Sequence, residues 1–367
     1  MNKKIEIGII TVNDPKNYGN RLQNYALQQV LRDYGTVSTV NQFLNVNRPV
    51  EIIEKRLFAR LRPVLNRFLS LMPSERSLDF KRLCRSDAFT RRYVPCSQLY
   101  ASTCLTANNI ASLKTVVVGS DQVWNDRWIS GRVLSARLAD MTNDKTRLIS
   151  YAASFGINQV KDESKPIFKK QLARFSAISV REDQGVTLVN ELSGKPATVV
   201  LDPTLMVPAE HWRSITRGFV PRDDKYVLTY FLGKPSAEQE CTIQEYARKH
   251  GCRVRRMIDS CDPETYVAGP EDFVELFSKA EYVFADSYHA CCFSLLFHKQ
   301  FTVFNRAGTK GKANMNSRME TLFRLFELDS VMLDDGLAPE IDYKKVDLLL
   351  QQHRAESKAW LDTAMEA

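Results

Sequence analysis

The sequence is poor in the patterns that announce a chemistry outright. Its eight cysteines, Cys84, Cys96, Cys104, Cys241, Cys252, Cys261, Cys291 and Cys292, form no C-x-x-C pair, and none has a histidine at zinc-finger spacing. In a chain of this length that predicts reduced, partly buried thiols and neither a disulfide framework nor a metal site. There is no G-x-S-x-G elbow, Walker motif or H-E-x-x-H helix, and NYGNR near the start is not the G-x-G-x-x-G of a dinucleotide site. No cofactor is expected. No apolar run approaches the ~18 residues that span a bilayer. The opening MNKKIEIGIITVNDP is broken by Glu6 and its apolar run ends at Asn13, so it reads as a first strand and not as a signal peptide. A cytoplasmic protein is expected. Low-complexity tracts and internal repeats are missing as well.

What is present is a globular balance. Hydrophobic residues make up 44% and charged residues 26% of 367 positions, enough for two domains of ordinary size. The net charge of +8 is concentrated. Between Lys55 and Arg92 eleven Lys/Arg face only Glu75, Asp79 and Asp87, so this one segment carries the whole excess. Its core, EKRLFARLRPVLNRFLSLM, puts Leu57, Phe58, Leu61, Leu65, Phe68 and Leu69 at near-helical spacing. One reading is a solvated helix face. The sharper one is a basic amphipathic surface for peripheral contact with an anionic membrane or an anionic acceptor. Nucleic acid is not expected, because no base-reading module accompanies the charge.

Short apolar runs alternate with helical patterns. KIEIGII, VSTV, TVVVG, RLISYAAS, AISV and ATVVL read as strands of a first half, with helices over NRLQNYALQQVLRDYG and EDQGVTLVNELSG between them. Phe168, Leu172 and Phe175 line one side of a further helix. DPTLMVPAEHWRSITRGFVPRDD, with three prolines and little periodicity, reads as a linker. The alternation resumes with KYVLTYF, RVRRMI, YVF and FTVF, and with helices near 236–250, near 270–279, from about 289, around Met319, Leu322, Phe323 and Phe326, and through YKKVDLLLQQHRAESKAWL. The fold class is therefore α/β, two doubly wound Rossmann-like domains facing a cleft. The expected boundaries are 1–205 for the first domain (with a basic helical insertion at about 50–105), 206–224 for the linker, 225–335 for the second domain and 336–367 for a C-terminal helix.

Ligands of such folds bind beyond the C-terminal ends of the strands, and four polar clusters fall there. NDPKNYGNR follows the first strand, GSDQVWN follows TVVV, REDQG follows AISV, and ADSYH follows YVF. Ser287 as N-cap places His289 in the first turn of a helix, where the positive helix end disfavours the imidazolium until an anion arrives. The bland alternative is a satisfied, half-buried histidine. Arg181 can grip a carboxylate or phosphate with both ends of its guanidinium, or pair with a nearby acid. Gly19 permits a close backbone approach, and Asn20 can cap the helix that Arg21 opens. Ser120 and Asp121 can bind hydroxyls or serve as base, or simply form a turn.

NYGNRLQNYALQQVL, VVVGSDQVWN, ISYAASFG, ISVREDQG, VLDPTLM and ADSYHACCFSLLFHKQF together resemble the polysaccharide pyruvyltransferase family, in order, from about residue 5 to about residue 330. The resemblance implies a GT-B-like fold. It also implies an enzyme of bacterial surface polysaccharide (exopolysaccharide) biosynthesis that moves the enolpyruvyl group of phosphoenolpyruvate onto two hydroxyls of a glycan sugar. The products are a cyclic pyruvate ketal and phosphate. The acceptor would be a glycan, with a lipid-linked form among the expectations. By resemblance Arg181 binds the donor and His289 is the catalytic histidine that protonates its methylene carbon. Asp121 or Asp286 would accept the sugar proton. Gly19, Asn20, Arg21, Ser120, Ser287 and Tyr288 would line the substrate site. Where the family's loop reads Arg-Leu-His, this chain reads Ser287-Tyr288-His289 and has no arginine. Arg21, Arg318 and Lys312 are the cations that could stand in for it. The alternative reading on the same fold is a glycosyltransferase that uses a sugar nucleotide.

Overall fold

In a computed structural model the chain is described over residues 6–14, 16–43, 75–94, 96–102, 113–305, 317–328 and 330–366. The amphipathic stretch between Leu57 and Leu69, and Lys312, lie outside the described residues. The rest forms two all-parallel sheets. The first has strand order β3-β2-β1-β4-β5-β6-β7. Its strands are β1 (Ile7–Ile10), β2 (Val37–Phe43), β3 (Cys96–Ser102), β4 (Thr115–Val118), β5 (Arg147–Ala153), β6 (Ala177–Val180) and β7 (Thr198–Val199). The second has order β12-β11-β10-β8-β9. It is built from β8 (Tyr226–Tyr230), β9 (Arg253–Met257), β10 (Tyr282–Ala285), β11 (Gln300–Phe304) and β12 (Met332–Leu333). The central strands IGII, TVVV, YVLTY and YVFA are buried at every position. Helices on both faces of a parallel sheet require such unbroken apolar runs.

Strand order reverses between β1 and β4 in the first sheet and between β8 and β10 in the second. The loops beyond these strands diverge there and leave a crevice. Gly8 pairs with Val116 and Ile10 with Val118, so the ends of β1 and β4 are level. In the second sheet Ala285 pairs with Tyr230, which levels the ends of β10 and β8.

Local chemistry explains most helix bounds. Asn17 caps Tyr18–Leu31 by accepting the Asn20 N–H at 3.2 Å. Ser236 and Gln239 form a reciprocal capping box for Ala237–His250, which ends at Gly251 with φ 63°. Asp183–Ser193 ends at Gly194 in the same left-handed conformation.

Two segments depart from the sequence reading. Part of the basic insertion belongs to the sheet: the helix Glu75–Tyr93 leads into β3, which pairs with β2. Between the sheets the chain is not a bare linker. Pro203–Met206 and Ala209–Ser214 are short helices, and Trp212 is fully buried with its indole N–H on the Thr204 carbonyl at 3.1 Å. Prolines at helix starts removed the periodicity there without removing the packing.

The lobes are joined by a shared core. Tyr18, Leu22, Tyr25 and Ala26, from the first lobe's opening helix, pack with Phe273, Phe277, Tyr288 and Phe293 of the second. Tyr18 donates its hydroxyl to the Ala268 carbonyl at 2.7 Å. The final helix, Tyr343–Glu366, spans both lobes: Val346 and Leu350 join that core, while Leu361 and Ala364 pack beneath β1 and β5.

Candidate active site

Six strand ends deliver the site. Thr11 and Asn13 follow β1, Ser120 and Asp121 follow β4, Arg181 and Glu182 follow β6, Asp202 follows β7, and Asp286 to His289 follow β10. Leu232 and Gly233 follow β8 on the facing lobe.

Arg181 is the hub. Its side chain is fully buried, and it donates to Asp121 Oδ1 and Asp202 Oδ2, each at 2.7 Å. Burial opposes its charge, but the two carboxylates more than restore it and hold its pKa above the ordinary arginine range. Both ends of this guanidinium are thus occupied by protein. Asp202 is itself saturated: it also accepts Ser120 Oγ at 3.1 Å, Thr204 N at 3.0 Å and Thr204 Oγ1 at 2.7 Å. Asp121 accepts its neighbour Gln122 N at 2.9 Å and the Asn20 side-chain amide. Burial pushes the Asp121 carboxyl up, and the charges of Arg181, His289 and Arg318 overcome this to hold it at about 2. Both Asp121 oxygens are thus engaged by donors from the protein, among them the Arg181 guanidinium. Asp286, the other candidate, accepts the amides of Leu232 at 2.6 Å and Gly233 at 2.9 Å and so fastens the loop after β8.

His289 is the second residue of the helix Tyr288–Leu296, with Ser287 as N-cap residue. Ser287 makes no side-chain capping bond. The imidazole is nearly buried; its Nε2 lies 3.8 Å from Asp202 Oδ2 and has no hydrogen-bond partner. Burial lowers its pKa, Asp202 and Asp121 pull it up, and Arg181 and Arg318 push it down again. The imidazole is therefore neutral at neutral pH, and an incoming anion would favour its charged form. Its other side rests on Gly19, where a Cβ would meet Nδ1 at 2.2 Å. The close approach that Gly19 permits is thus that of a side chain from the opposite lobe.

Arg318, in the first turn of Ser317–Phe326, is 8% exposed and has no ion pair or hydrogen bond among the described residues. Burial and the nearby Arg181 lower its pKa to about 10. It is positioned by its neighbours: Thr321 and Arg324 on the same helix hold Asp183, with Arg324 donating at 2.9 and 2.8 Å. Tyr288 lies between the arginines, its ring centre 4.5 Å from the Arg181 guanidinium carbon and 5.9 Å from that of Arg318. Its hydroxyl is held well above the ordinary range by burial.

Asn17, not Asn20, caps the first helix, and Asn20 instead turns its amide to Asp121. Arg21 is buried and donates to Thr90 Oγ1 at 3.2 Å and to Asn13 Oδ1, which ties the first helix to Glu75–Tyr93. Ser120 belongs to the carboxylate network. Three participants escaped the sequence reading. Asp202 stands at a strand end, the same signal that marked Asp121 and Arg181, but its DPT context resembles a linker. Glu182 accepts Ser154 Oγ and the amides of Phe155 and Gly156 at 2.8–3.0 Å, which shapes the loop after β5. Arg137 closes the short helix Gly131–Arg137, and its side chain folds back to the Thr11 carbonyl. No motif in the sequence marks it.

The family model for polysaccharide pyruvyl transferase matches residues 17–308. The chain belongs to that family and is a transferase. No curated protein matches it. Among solved structures it is similar to a putative UDP-N-acetylglucosamine 2-epimerase from Listeria monocytogenes, at 10% identity and TM-score 0.48, covering 98% of this chain and 90% of that one. It is also similar to the UDP-GlcNAc 2-epimerase from Methanocaldococcus jannaschii, at 11% identity and TM-score 0.48, covering 95% and 92%. A UDP-glucosyltransferase from Polygonum tinctorium is similar at 10% identity and TM-score 0.42, covering 100% and 99%.

Proposed function

We propose that the protein transfers the enolpyruvyl group of phosphoenolpyruvate to two hydroxyls of a glycan sugar, forming a pyruvate ketal and releasing phosphate. The observation that carries the reading is the buried Arg318, which has no ion pair or hydrogen bond among the described residues, beside a neutral His289 whose Nε2 lacks a partner. Asp121 and Glu182 offset only part of the burial of this cation, whose pKa stays below the ordinary arginine value; an anionic ligand would complete its neutralisation, and phosphoenolpyruvate carries both carboxylate and phosphate. Arg318 takes the place of the arginine missing from the Ser287-Tyr288-His289 loop. Arg181 is its scaffold, holding Asp121 and Asp202 in place, and the donor's charge falls to Arg318 and the start of Tyr288–Leu296.

The donor's negative charge raises the His289 pKa, and the imidazole takes a proton. Asp202, 3.8 Å from Nε2, stabilises the imidazolium. His289 then gives that proton to the donor's methylene carbon, and cationic character develops at the carbon that bears phosphate. A first sugar hydroxyl adds there and returns its proton to His289. A second hydroxyl displaces phosphate, its proton leaves with phosphate, and the ring closes. His289, having given up its proton, takes that of the first hydroxyl and so serves as both acid and base.

The test is incubation with phosphoenolpyruvate and a panel of glycans, scored by phosphate release and by the ketal methyl signal in NMR. Phosphate and ketal appearing together support the reading. Release of a nucleoside diphosphate from a sugar nucleotide, with no turnover of phosphoenolpyruvate, replaces it with the glycosyltransferase.

A further inference from the structure

Trp128 is 64% exposed, more than any other large aromatic among the described residues. An exposed indole offers a broad, flat apolar face with a polar edge, the kind of surface that recurs where proteins bind ligands and partners. This one is held in place. Within its loop Asn125 N donates to Gln122 O at 3.3 Å and Trp128 N to Asn125 O at 3.3 Å, giving two successive turns. Asn125 Oδ1 accepts Arg127 N at 3.1 Å, and Asp126 Oδ2 accepts Lys161 N at 2.7 Å. Trp124 is buried at the base, its ring 5.2 Å from Phe155, and Ile129 packs into the same core.

The loop starts at Asp121, in the site. One Cα step and two turns bring the Trp128 Cα within roughly 18 Å of the Asp121 Cα. Trp128 therefore sits on the loop that leaves the site at the C-terminal end of β4. In the other lobe, on the loop after β8 that Asp286 fastens, Leu232 is 48% exposed. Arg127 and Arg132 flank Trp128 on the surface, and neither is paired with a carboxylate among the described residues.

We propose that Trp128 is the stacking platform for the acceptor glycan, with a pyranose ring lying on the indole face while the next sugars run down to His289. This rests on the reading of the protein as a glycan pyruvyltransferase and adds where the acceptor sits. The flat apolar face of a pyranose matches an indole, and its hydroxyls stay within reach of the flanking guanidinium donors. A rigid loop suits this task, because little entropy is lost when the sugar docks.

The geometry offers its own probe. Trp124 and Trp212 are fully buried and Trp360 is half-buried, so iodide quenching of tryptophan emission reports chiefly on Trp128. The full chain is titrated with a series of neutral and glucuronate-containing oligosaccharides, and phosphoenolpyruvate binding is followed separately by calorimetry. The expected result is that at least one series protects the emission from iodide. Trp128→Ala then weakens that oligosaccharide by about tenfold or more, Trp128→Tyr restores most of it, and phosphoenolpyruvate affinity stays unchanged in both. Failure of every series to protect Trp128, or equal binding by wild type and Trp128→Ala, overturns the platform even if phosphoenolpyruvate turns over. Oligosaccharide protection without any phosphoenolpyruvate binding keeps the platform and sinks the donor reading instead.

Discussion

Arg181 and Arg318 approach the same Tyr288 ring from two lobes, yet their surroundings are opposite. The first-lobe arginine lies between two buried carboxylates, which raise its pKa. The second-lobe arginine has no direct carboxylate partner among the described residues, and burial lowers its pKa. Two identical side chains in one site thus do different work. One ties two carboxylates together at the strand ends, and the other is the one the proposed function assigns to the donor. Charge alone does not mark a binding residue; the unpaired charge does.

The comparison can be broken most forcefully at Arg181. Arg181→Met leaves Asp121 and Asp202 buried and unpaired, and should cost ~3–5 kcal/mol of stability in denaturant unfolding. Arg318→Met should leave unfolding unchanged or slightly improved, while phosphoenolpyruvate affinity in calorimetry drops by about thirtyfold or more, ~2 kcal/mol. If both variants lose stability equally, the two arginines are alike and the distinction fails.

His289→Ala should fold normally and lose ~10²–10⁴ in turnover, measured by phosphate release. Near wild-type turnover removes the imidazole from the mechanism. Gly19→Ala probes the same ring from the other lobe. Its Cβ would lie 2.2 Å from Nδ1, so the ring must move, at a cost in folding of ~1–3 kcal/mol and with a fall in turnover that leaves Arg318-dependent affinity largely intact.

The pH behaviour sharpens the contrast further. The folded His289 pKa lies below the unfolded one, so the unfolded chain binds its proton more readily. This group therefore removes stability as pH falls through the ordinary histidine range. Asp121 acts in the same direction at lower pH: its stabilisation is present above the unfolded carboxylate pKa and is lost as pH drops through about 2. Phosphoenolpyruvate binding near neutral pH should take up a proton, seen as buffer-dependent heat, and His289→Ala should abolish that uptake. The smallest effect is expected at the exposed Arg324–Asp183 pair. Asp183→Asn should cost ~1 kcal/mol or less and change donor affinity only through the placement of Arg318.

Most of the fold was legible because a parallel sheet demands unbroken apolar strands. TVVV, YVLTY and YVFA could be recognised from composition alone, and Gly194 marked a helix end through its conformation. The seams were not legible. Pro203–Met206 and Ala209–Ser214 are too short to show a period, and the pairing of Cys96–Ser102 with β2 is a contact between distant segments. For the same reason the site was half visible. Strand-end position pointed to Asp121, Arg181 and His289, but partners cannot be read from position. Nothing local says that Asp202 binds the Arg181 guanidinium, that Gly19 makes room for an imidazole from the other lobe, or that Arg137 folds back to Thr11.

The linear order of residues determined which side chains stand at strand ends and which helix starts with Tyr288-His289, because strand and helix periods are local properties. Only the packed chain decided which of its arginines is neutralised and which stays unpaired. That choice depends on contacts between segments 21 and 60 residues apart, where burial makes each pairing decisive.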